Sequence, residues 1–388
     1  MSTKKSEVAV ELFAGAGGLA MGVAKAGFRH LVVIENNQWA CATLAKNTSW
    51  PLFGGDVRKF DYDGITQSID LVAGGPPCQP FSVGGKHRAH LDARDMFPEA
   101  IRAVRALKPR VFLLENVKGM LRKAFSHYFE YIVLQLRHPD VVAKKREEWL
   151  DHFARLQQHE TSGKGDGLHY NLVWQVLNAA DYGVAQKRER LFIVGFRSDI
   201  GAKWAFPQPT HSLGALLWAQ GESGDYWASH GLKRRPCHRV AVSAPMQVEI
   251  PDEKPSLQPW RTVRDALRGL PDPEYQPRAA QFHSGHSFIP GARAYASHTG
   301  SPQDLPAKTL KAGVHGVPGG ENMLLRPSGK VRYFTVRECA RLQDFPDNFV
   351  FEGAWTTVIK QLGNAVPVEL GTRLAKSIYV ALQESSDT

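Results

Sequence analysis

Short apolar runs alternate with helical patterns along the first half of the chain. The strand candidates read VAVELF, LVVIE, IDLVAGG, VFLLENV and LFIVGF. Between them, the stretches 38–46 and 100–107 carry apolar residues at helical spacing. Strands that alternate with helices in this way are typical of βαβ units and a parallel sheet. We therefore predict an α/β fold from Val8 to about Phe196.

The pattern changes beyond Arg197, where Pro, Gly, His and Trp become frequent and long helical patterns stop. This change in composition and pattern predicts a second, loop-rich domain. Ahead of it, the charged stretch from about Val141 to Gln158 spaces apolar residues at i, i+4 and i+7, which predicts an amphipathic helix. A last helical pattern, from Val368 to Leu382, can pack on either domain.

Composition narrows the class of protein. The 388 residues contain four cysteines without C-x-x-C spacing, which argues against a disulfide framework. No signal peptide is apparent, and no apolar run approaches the roughly 20 residues of a membrane span, so we expect a soluble, cytoplasmic protein without a membrane partner. Lys and Arg total 48 against 38 acids, and the net charge of +10 suits a polyanionic partner.

The histidines and cysteines raise the question of a metal. Neither HSGH (283–286) nor the adjacent Cys237 and His238 has the spacing of a structural zinc site. The sequence therefore predicts no metal.

A glycine-rich turn, ELFAGAGGLA (11–20), follows the first strand. Its glycines allow a tight turn and a close approach to a ligand, but Ala20 breaks the G-x-G-x-x-G pattern. Glu35 ends the second strand, where an acid can accept hydrogen bonds from ribose hydroxyls. Asp56 follows the next segment and can pair with an adenine amino group. These residues predict a nucleoside-bearing cofactor; the alternative is an unrelated glycine turn with chance acids.

A cysteine bounded by prolines stands in GGPPCQPFS (74–82). Cys78 follows an apolar run that predicts a strand, and Pro76, Pro77 and Pro80 stiffen the loop around it. Rigid presentation at a strand end suits a nucleophile, whereas the alternative is a small, buried and inert thiol. Glu115, in ENV at the end of another strand, is a candidate proton donor beside it.

The segment QKRER (186–190) precedes the last strand candidate. Gln186, Arg188 and Arg190 alternate, so at strand spacing they face one way and offer donors to a carbonyl oxygen and to phosphates. The alternative is a solvated surface run.

Taken in order, these motifs resemble the DNA (cytosine-5)-methyltransferases of bacterial restriction and modification. The resemblance also includes TVRECARLQDFPD (335–347) and QLGNAVP (361–367), and it covers both ends of the chain but not its middle. Two features depart from the family pattern. Glu11 stands where the family usually has Asp, and ENV and QKRER are further apart than in the family.

The resemblance implies a Rossmann-like, S-adenosylmethionine-dependent methyltransferase domain with a smaller, loop-rich target-recognition domain. We assign residues 1–198 to the catalytic domain, with a charged helical insertion at about 135–168. Residues 199–334 are the target-recognition domain, 335–352 are its hinge and support, and 353–388 form a C-terminal helix that returns to the catalytic domain.

The family's site residues carry over to this chain by motif. The resemblance assigns S-adenosylmethionine to Phe13, Gly15, Gly17, Gly18, Leu19, Glu35, Asp56, Pro76, Asn364 and Ala365, with Phe13 near the sulfonium. It implies that Cys78 adds to C6 of a flipped-out cytosine, that Glu115 stabilises protonation at N3, and that Arg188 binds O2 beside Arg190. It assigns contacts with DNA or their support to Gln79, Ser82, Gln186, Thr309 and Leu310.

The expected partners are double-stranded DNA and a restriction endonuclease that shares the target sequence, with the protein itself a monomer. Three rival functions remain. A repressor that kept the fold would have no need of Cys78 or Glu115. The RNA-methylating branch of the family has a smaller recognition region. A nicotinamide oxidoreductase would not explain a cysteine between prolines.

Overall fold

One seven-stranded sheet organises the first half of the chain. The computed structural model describes residues 6–77, 95–162, 167–233, 251, 253–295, 298–313 and 322–385. The strands of this sheet are β1 Val8–Leu12, β2 Arg29–Glu35, β3 Leu52–Gly54, β4 Leu71–Gly74, β5 Val111–Val117, β6 Tyr170–Asn178 and β7 Glu189–Arg197. Within the described residues the sheet order is β3-β2-β1-β4-β5-β7-β6. Neighbours are parallel from β3 to β5, and β7 is antiparallel to both β5 and β6.

Both faces of this sheet are covered. Alternate side chains of β1, β4 and β5 enter two different cores, so Val10, Val72 and Phe112 face one way while Ala9 and Ala73 face the other. The helices between the strands are α1 Gly18–Ala26, α2 Gln38–Asn47, α3 Phe97–Leu107, α4 Ser126–Arg137 and α5 Trp149–Ser162. The predicted α/β fold is confirmed, and all five predicted strands lie in the sheet.

The charged helix begins later than its apolar spacing suggests. We predicted a helix from about Val141, whereas α5 begins at Trp149. The guanidinium of Arg155 donates to the carbonyl of Val142 and to the carboxylate of Glu147, and it holds this entering segment against the first turns of the helix. A positive φ of 64° at Arg146 is also incompatible with a helix there.

The last helix, α12 Val368–Glu384, packs along α1. Leu370, Leu374 and Ile378 share a core with residues of α1. A Cβ on Gly22 would lie 2.5 Å from the carbonyl carbon of Gly371, so the absence of a side chain lets the two helices approach closely. The end of the chain therefore lies against the helix that follows the glycine turn.

Short elements make up the region between the sheet and the C-terminal helices. They are β8 His211–Ser212, α6 Leu213–Gly221, α7 Asp225–Ser229, β9 Gln258–Pro259, α8 Val263–Ala266, α9 Pro277–Ala280, β10 Ser301–Pro302, β11 Met323–Leu325 and β12 Val331–Tyr333. Two further helices, α10 Val336–Leu342 and α11 Trp355–Asn364, precede α12. Our domain boundaries stay a prediction. In the part of the chain that the structure describes, no helix is both long and apolar enough to cross a membrane.

Candidate active site

The glycine turn between β1 and α1 is strained and tightly packed on one side. Phe13, Gly15 and Gly17 have φ of 54°, 56° and 88°. A Cβ at Gly17 would lie 2.7 Å from Cδ2 of Leu44, and a Cβ at Gly18 would lie 2.2 Å from the carbonyl oxygen of Val366. At Gly15, in contrast, a Cβ would meet no atom of the described residues within 4 Å. The turn is thus closed toward the protein and open at Gly15.

The carboxylate of Glu35 holds this turn in place. Its Oε2 accepts the N–H of Gly15 at 2.7 Å, and its Oε1 accepts those of Asn36 and Asn37 at 2.9 and 2.7 Å. A carboxylate has about four lone-pair positions. Three are filled by backbone, which leaves one on Oε2 beside the open side of the turn. Glu35 therefore stabilises the turn and can still accept one hydrogen bond from a hydroxyl group.

The remaining predicted cofactor residues differ in their exposure and in the hydrogen bonds that they already make. Leu19 is buried in α1, whereas Asn364, the last residue of α11, is exposed and is followed by buried Ala365. Asp56 caps the 3-10 turn Val57–Lys59, and its carboxylate accepts hydrogen bonds from Arg58. These bonds lower the pKa of Asp56 to about 2. Its carboxylate is anionic and already paired.

A buried ion pair lies where β5 and β7 run side by side. Arg190 Nε is 2.9 Å from Glu115 Oε1, and both side chains are largely buried. Burial raises the pKa of Glu115, although the positive charges of Arg190 and Arg188 oppose the shift. A Cβ at Gly75 would lie 3.0 Å from Glu115 Oε2, so the glycine after β4 leaves that oxygen uncovered. This carboxyl group can hold a proton close to the loop that leads to residue 78.

Asn116 positions that loop, and we did not predict its role. Its Nδ2 donates to the carbonyl oxygen of Pro76 at 3.0 Å, and its Oδ1 accepts the N–H of Val117 at 2.8 Å. Its place next to Glu115 in the ENV motif was the available signal. The predicted nucleophile Cys78, together with Gln79 and Ser82, lies outside the described residues.

Two side chains of QKRER form hydrogen bonds with the backbone of segments far away in the sequence. Fully buried Arg188 donates to the carbonyls of Leu310 (3.1 Å) and Gly363 (2.7 Å), and among the described residues its Nε has no partner. Gln186 is equally buried; it donates to the carbonyl of Leu342 and accepts the N–H of Leu310. The interpretation as a solvated run is therefore wrong for both. They do not form a shared donor cluster with Arg190, because the backbone of neighbouring segments takes their hydrogen bonds.

Thr309 and Leu310 meet the same segment from the other side. The hydroxyl of Thr309 donates to the carbonyl of Lys187 at 2.7 Å, and Leu310 is buried. These two residues attach the second half of the chain to the chain entering β7.

The sheet order, with its antiparallel β7 and a glycine turn after β1, defines a Rossmann-like fold of S-adenosylmethionine-dependent methyltransferases. The sequence model described as "C-5 cytosine-specific DNA methylase" matches residues 8–140 and 160–380, and the chain belongs to that family. It is a DNA cytosine-5-methyltransferase, and its methyl donor is S-adenosylmethionine.

Individual relatives agree with this assignment. The chain is 32% identical to Type II methyltransferase M.PspPI of Psychrobacter sp., over 95% of this chain and 78% of that one. It is 30% identical to Type II methyltransferase M.NgoMIV of Neisseria gonorrhoeae, over 97% and 98%. The crystal structure of the Dnmt2 methyltransferase of S. pombe shares the fold, with a TM-score of 0.58 and 17% identity over 98% of this chain and 99% of that one.

Proposed function

We propose that this protein methylates C5 of one cytosine within a specific sequence of double-stranded DNA, as the modification enzyme of a restriction-modification system. The observation that carries the proposal is the buried Glu115–Arg190 pair beside the chain that leads to Cys78. The names of the relatives as Type II methyltransferases support the restriction-modification context.

The glycine turn would hold the cofactor. The free lone-pair position on Glu35 Oε2 suits a ribose hydroxyl, and the open side of Gly15 gives the nucleoside room. The ring of Phe13, held by a left-handed backbone, suits a sulfonium through a cation–π contact. When bound, S-adenosylmethionine supplies an electrophilic methyl group. Asp56 would accept an adenine amino group in addition to the hydrogen bonds that it already accepts from Arg58.

The chemistry needs a nucleophile because C5 of cytosine is poorly reactive. The Cys78 thiolate forms a bond to C6, and the electron pair of the C5–C6 double bond moves into the ring toward N3. Glu115, whose pKa is raised by burial, donates a proton to N3 and stabilises this enamine. C5 would then bond the methyl group while the bond between that group and the donor's sulfur breaks. A base removes the C5 proton, the electrons that return to the ring expel the Cys78 thiolate, and N3 returns its proton to Glu115.

The O2 carbonyl of the cytosine requires a donor, and we assign that role to Arg190 rather than Arg188. The Nε of Arg190 lies 2.9 Å from Glu115 Oε1, and its Nη1 donates to the carbonyl oxygen of Glu189. Among the described residues, its Nη2 makes no hydrogen bond, so this end of the guanidinium can donate to O2. Both terminal nitrogens of Arg188 donate to backbone carbonyls, and the side chain is fully buried. It acts as a tie between Leu310 and Gly363, beside Asn364.

A buried pair such as Glu115 and Arg190 cannot be reached by a base inside a stacked duplex. The target cytosine must therefore be flipped out, which costs a few kcal/mol of pairing and stacking. The net charge of +10 supports binding to the duplex backbone. The region 199–334, attached through Thr309 and Leu310, would select the sequence.

The proposal is tested by incubating the purified protein with S-adenosylmethionine and random-sequence duplex DNA, followed by bisulfite sequencing. We expect one protected cytosine within a single short motif. A matched reaction with transfer RNA should give no methylation. Methylation confined to the RNA, or protection of cytosines without any shared motif, would contradict the proposed substrate.

A further inference from the structure

Three metal-ligand side chains from different elements meet beside the start of the edge strand β6. His138 follows α4, Glu160 lies in α5, and His169 immediately precedes β6. One ligand atom of each lies within 4.8 Å of the other two. His138 is only 7% exposed, and its Nε2 is 2.5 Å from Glu160 Oε2.

Surrounding contacts anchor the Glu160 carboxylate and the backbone around His169. Arg137 bonds the other carboxylate oxygen of Glu160, Oε1, so Oε2 remains directed at His138. The carboxylate of Asp140 accepts the N–H of Leu168 at 3.1 Å, and the carbonyl of His169 accepts the N–H of Ser198 at 2.9 Å. The backbone on both sides of the His169 side chain is therefore anchored. Such anchoring lowers the cost of bringing ligands together.

We propose that His138, Glu160 and His169 bind one Zn²⁺ ion. Two imidazoles and one carboxylate form a recognised zinc ligand set, and a fourth position then remains for water. Zinc would take the Oε2 atom that now bonds His138, while Arg137 keeps Oε1. The ring of His159, whose centroid is 4.7 Å from that of His138, closes one side of the cluster.

The position of the cluster indicates what the metal does. The family's sequence model skips residues 141–159, which contain most of α5. His138 and Glu160 stand at the two ends of this unmatched segment, and His169 joins them to the sheet. Zinc at this place would cross-link both ends of the inserted segment to β6. Because the ligands come from three separate elements, the sequence has none of the short spacings that mark a structural zinc site.

The test measures Zn²⁺ binding by the full-length protein after treatment with a chelator, by competition with a chromophoric zinc indicator. Co²⁺ serves as a second probe, since its visible absorption reports the ligand geometry. Glu160→Gln keeps the size of the side chain and can still bond Arg137. His169→Asn removes a second, partly exposed ligand. His127→Asn, on the exposed side of α4, is the matched histidine control.

We expect one Zn²⁺ per chain in the parent and in His127→Asn, with a higher melting temperature when zinc is present. Loss of a direct ligand should weaken binding at least as much as loss of a supporting contact, so Glu160→Gln and His169→Asn should bind about tenfold more weakly or worse. Zinc should no longer raise their melting temperatures. Failure of the folded parent to bind Zn²⁺, or equal binding by all three variants, would overturn the proposal.

Discussion

The sheet and the region that follows it are stabilised in different ways. Strands of the sheet other than β3 have four to nine residues, and their alternate side chains fill two apolar cores. Strands in the following region have only two or three residues. There, pairs such as Arg332 with Glu338 and Arg264 with Asp304 connect the short elements. Long strands over two extensive apolar cores therefore define the first region, whereas the second combines smaller apolar clusters with specific polar contacts between its short elements.

This difference suits the proposed division of labour. A rigid sheet fixes the reacting groups within a fraction of an ångström, while a region of short elements and loops can change its surface residues without disturbing the sheet. If the comparison is correct, substitutions at the sheet's strand ends should affect chemistry, and substitutions of buried pairs beyond it should affect stability.

The largest effect should come from Glu115→Gln. The amide keeps the shape but cannot deliver a proton to N3, so methyl transfer should fall by about 10²- to 10⁴-fold. Cofactor affinity should remain, since Glu115 does not contact the glycine turn. Single-turnover kinetics with labelled S-adenosylmethionine measure the first quantity and calorimetry the second. Glu189→Gln, at an exposed acid on β7, is the control and should turn over normally. Equal rates in both variants would remove Glu115 from the chemistry.

Arg332→Met should cause the largest loss of stability. Arg332 donates two hydrogen bonds, of 2.7 and 2.6 Å, to Glu338, and both side chains are almost completely buried. Removing one partner of a buried pair costs about 3–5 kcal/mol. Urea unfolding should show this loss, whereas Arg373→Met, which breaks a half-exposed pair with Glu369, should cost about 0.5 kcal/mol.

The double variant Arg332→Met/Glu338→Leu sharpens the same comparison. It leaves no unpaired charge, so it should be more stable than Arg332→Met alone. If the single variant unfolds at the parent's urea concentration, polar pairs do not determine the stability of this region.

Glu11, in strand β1 of the sheet, should make the stability of the protein depend on pH. Burial raises the pKa of Glu11 to about 8, and among the described residues its Oε2 has no hydrogen-bond partner. The ordinary value is 4.5, so the folded protein keeps a proton that the unfolded chain loses. Stability therefore falls as the pH rises from about 4.5 to about 8, by roughly 4–5 kcal/mol for this group. Denaturant unfolding at pH 5, 6.5 and 8 should show a flatter dependence in Glu11→Gln. Parallel curves for parent and variant would contradict this assignment.

Glu35→Gln should weaken S-adenosylmethionine binding by roughly 10- to 100-fold, the effect expected for a lost hydrogen bond to a charged acceptor. It should also lower stability somewhat, because the amide cannot accept from all three backbone N–H groups that Glu35 serves. Asp56→Asn provides the comparison: its carboxylate is already paired with Arg58, so calorimetry should show a smaller loss of affinity. Unchanged binding by folded Glu35→Gln would place the ribose elsewhere.

Within the sheet, the sequence predicted the five strands that contain a short apolar run and missed β3 and β6. β4 and β5 are buried on both faces, which produces continuous apolar runs. β6 lies at the sheet edge and exposes much of its length, so polar residues interrupt its pattern. β3 has only three residues, too few to show a period. Helix α5 was predicted too long because apolar spacing does not reveal the contacts that Arg155 makes with the preceding chain.

For the candidate site, motif order predicted Glu115 and Arg190 but not that they form an ion pair. Period-two spacing places Gln186, Arg188 and Arg190 on one face, yet it does not say what lies opposite them. Their partners depend on the antiparallel register of β5 with β7 and on segments more than a hundred positions away. Such contacts are set by tertiary packing. The same limit concealed the carbonyl of Pro76 as the partner of Asn116.

Covalent trapping tests the central claim most directly. A duplex that carries 5-fluorocytosine at the target position should form an adduct with the protein in the presence of S-adenosylmethionine, because fluorine cannot leave C5 as a proton does and elimination stalls. The account predicts an adduct that survives denaturing electrophoresis in the parent and in Cys41→Ala. It predicts no adduct in Cys78→Ala, which should still bind the cofactor. Trapping that persists in Cys78→Ala, or that depends on Cys41, Cys237 or Cys339, would contradict the mechanism.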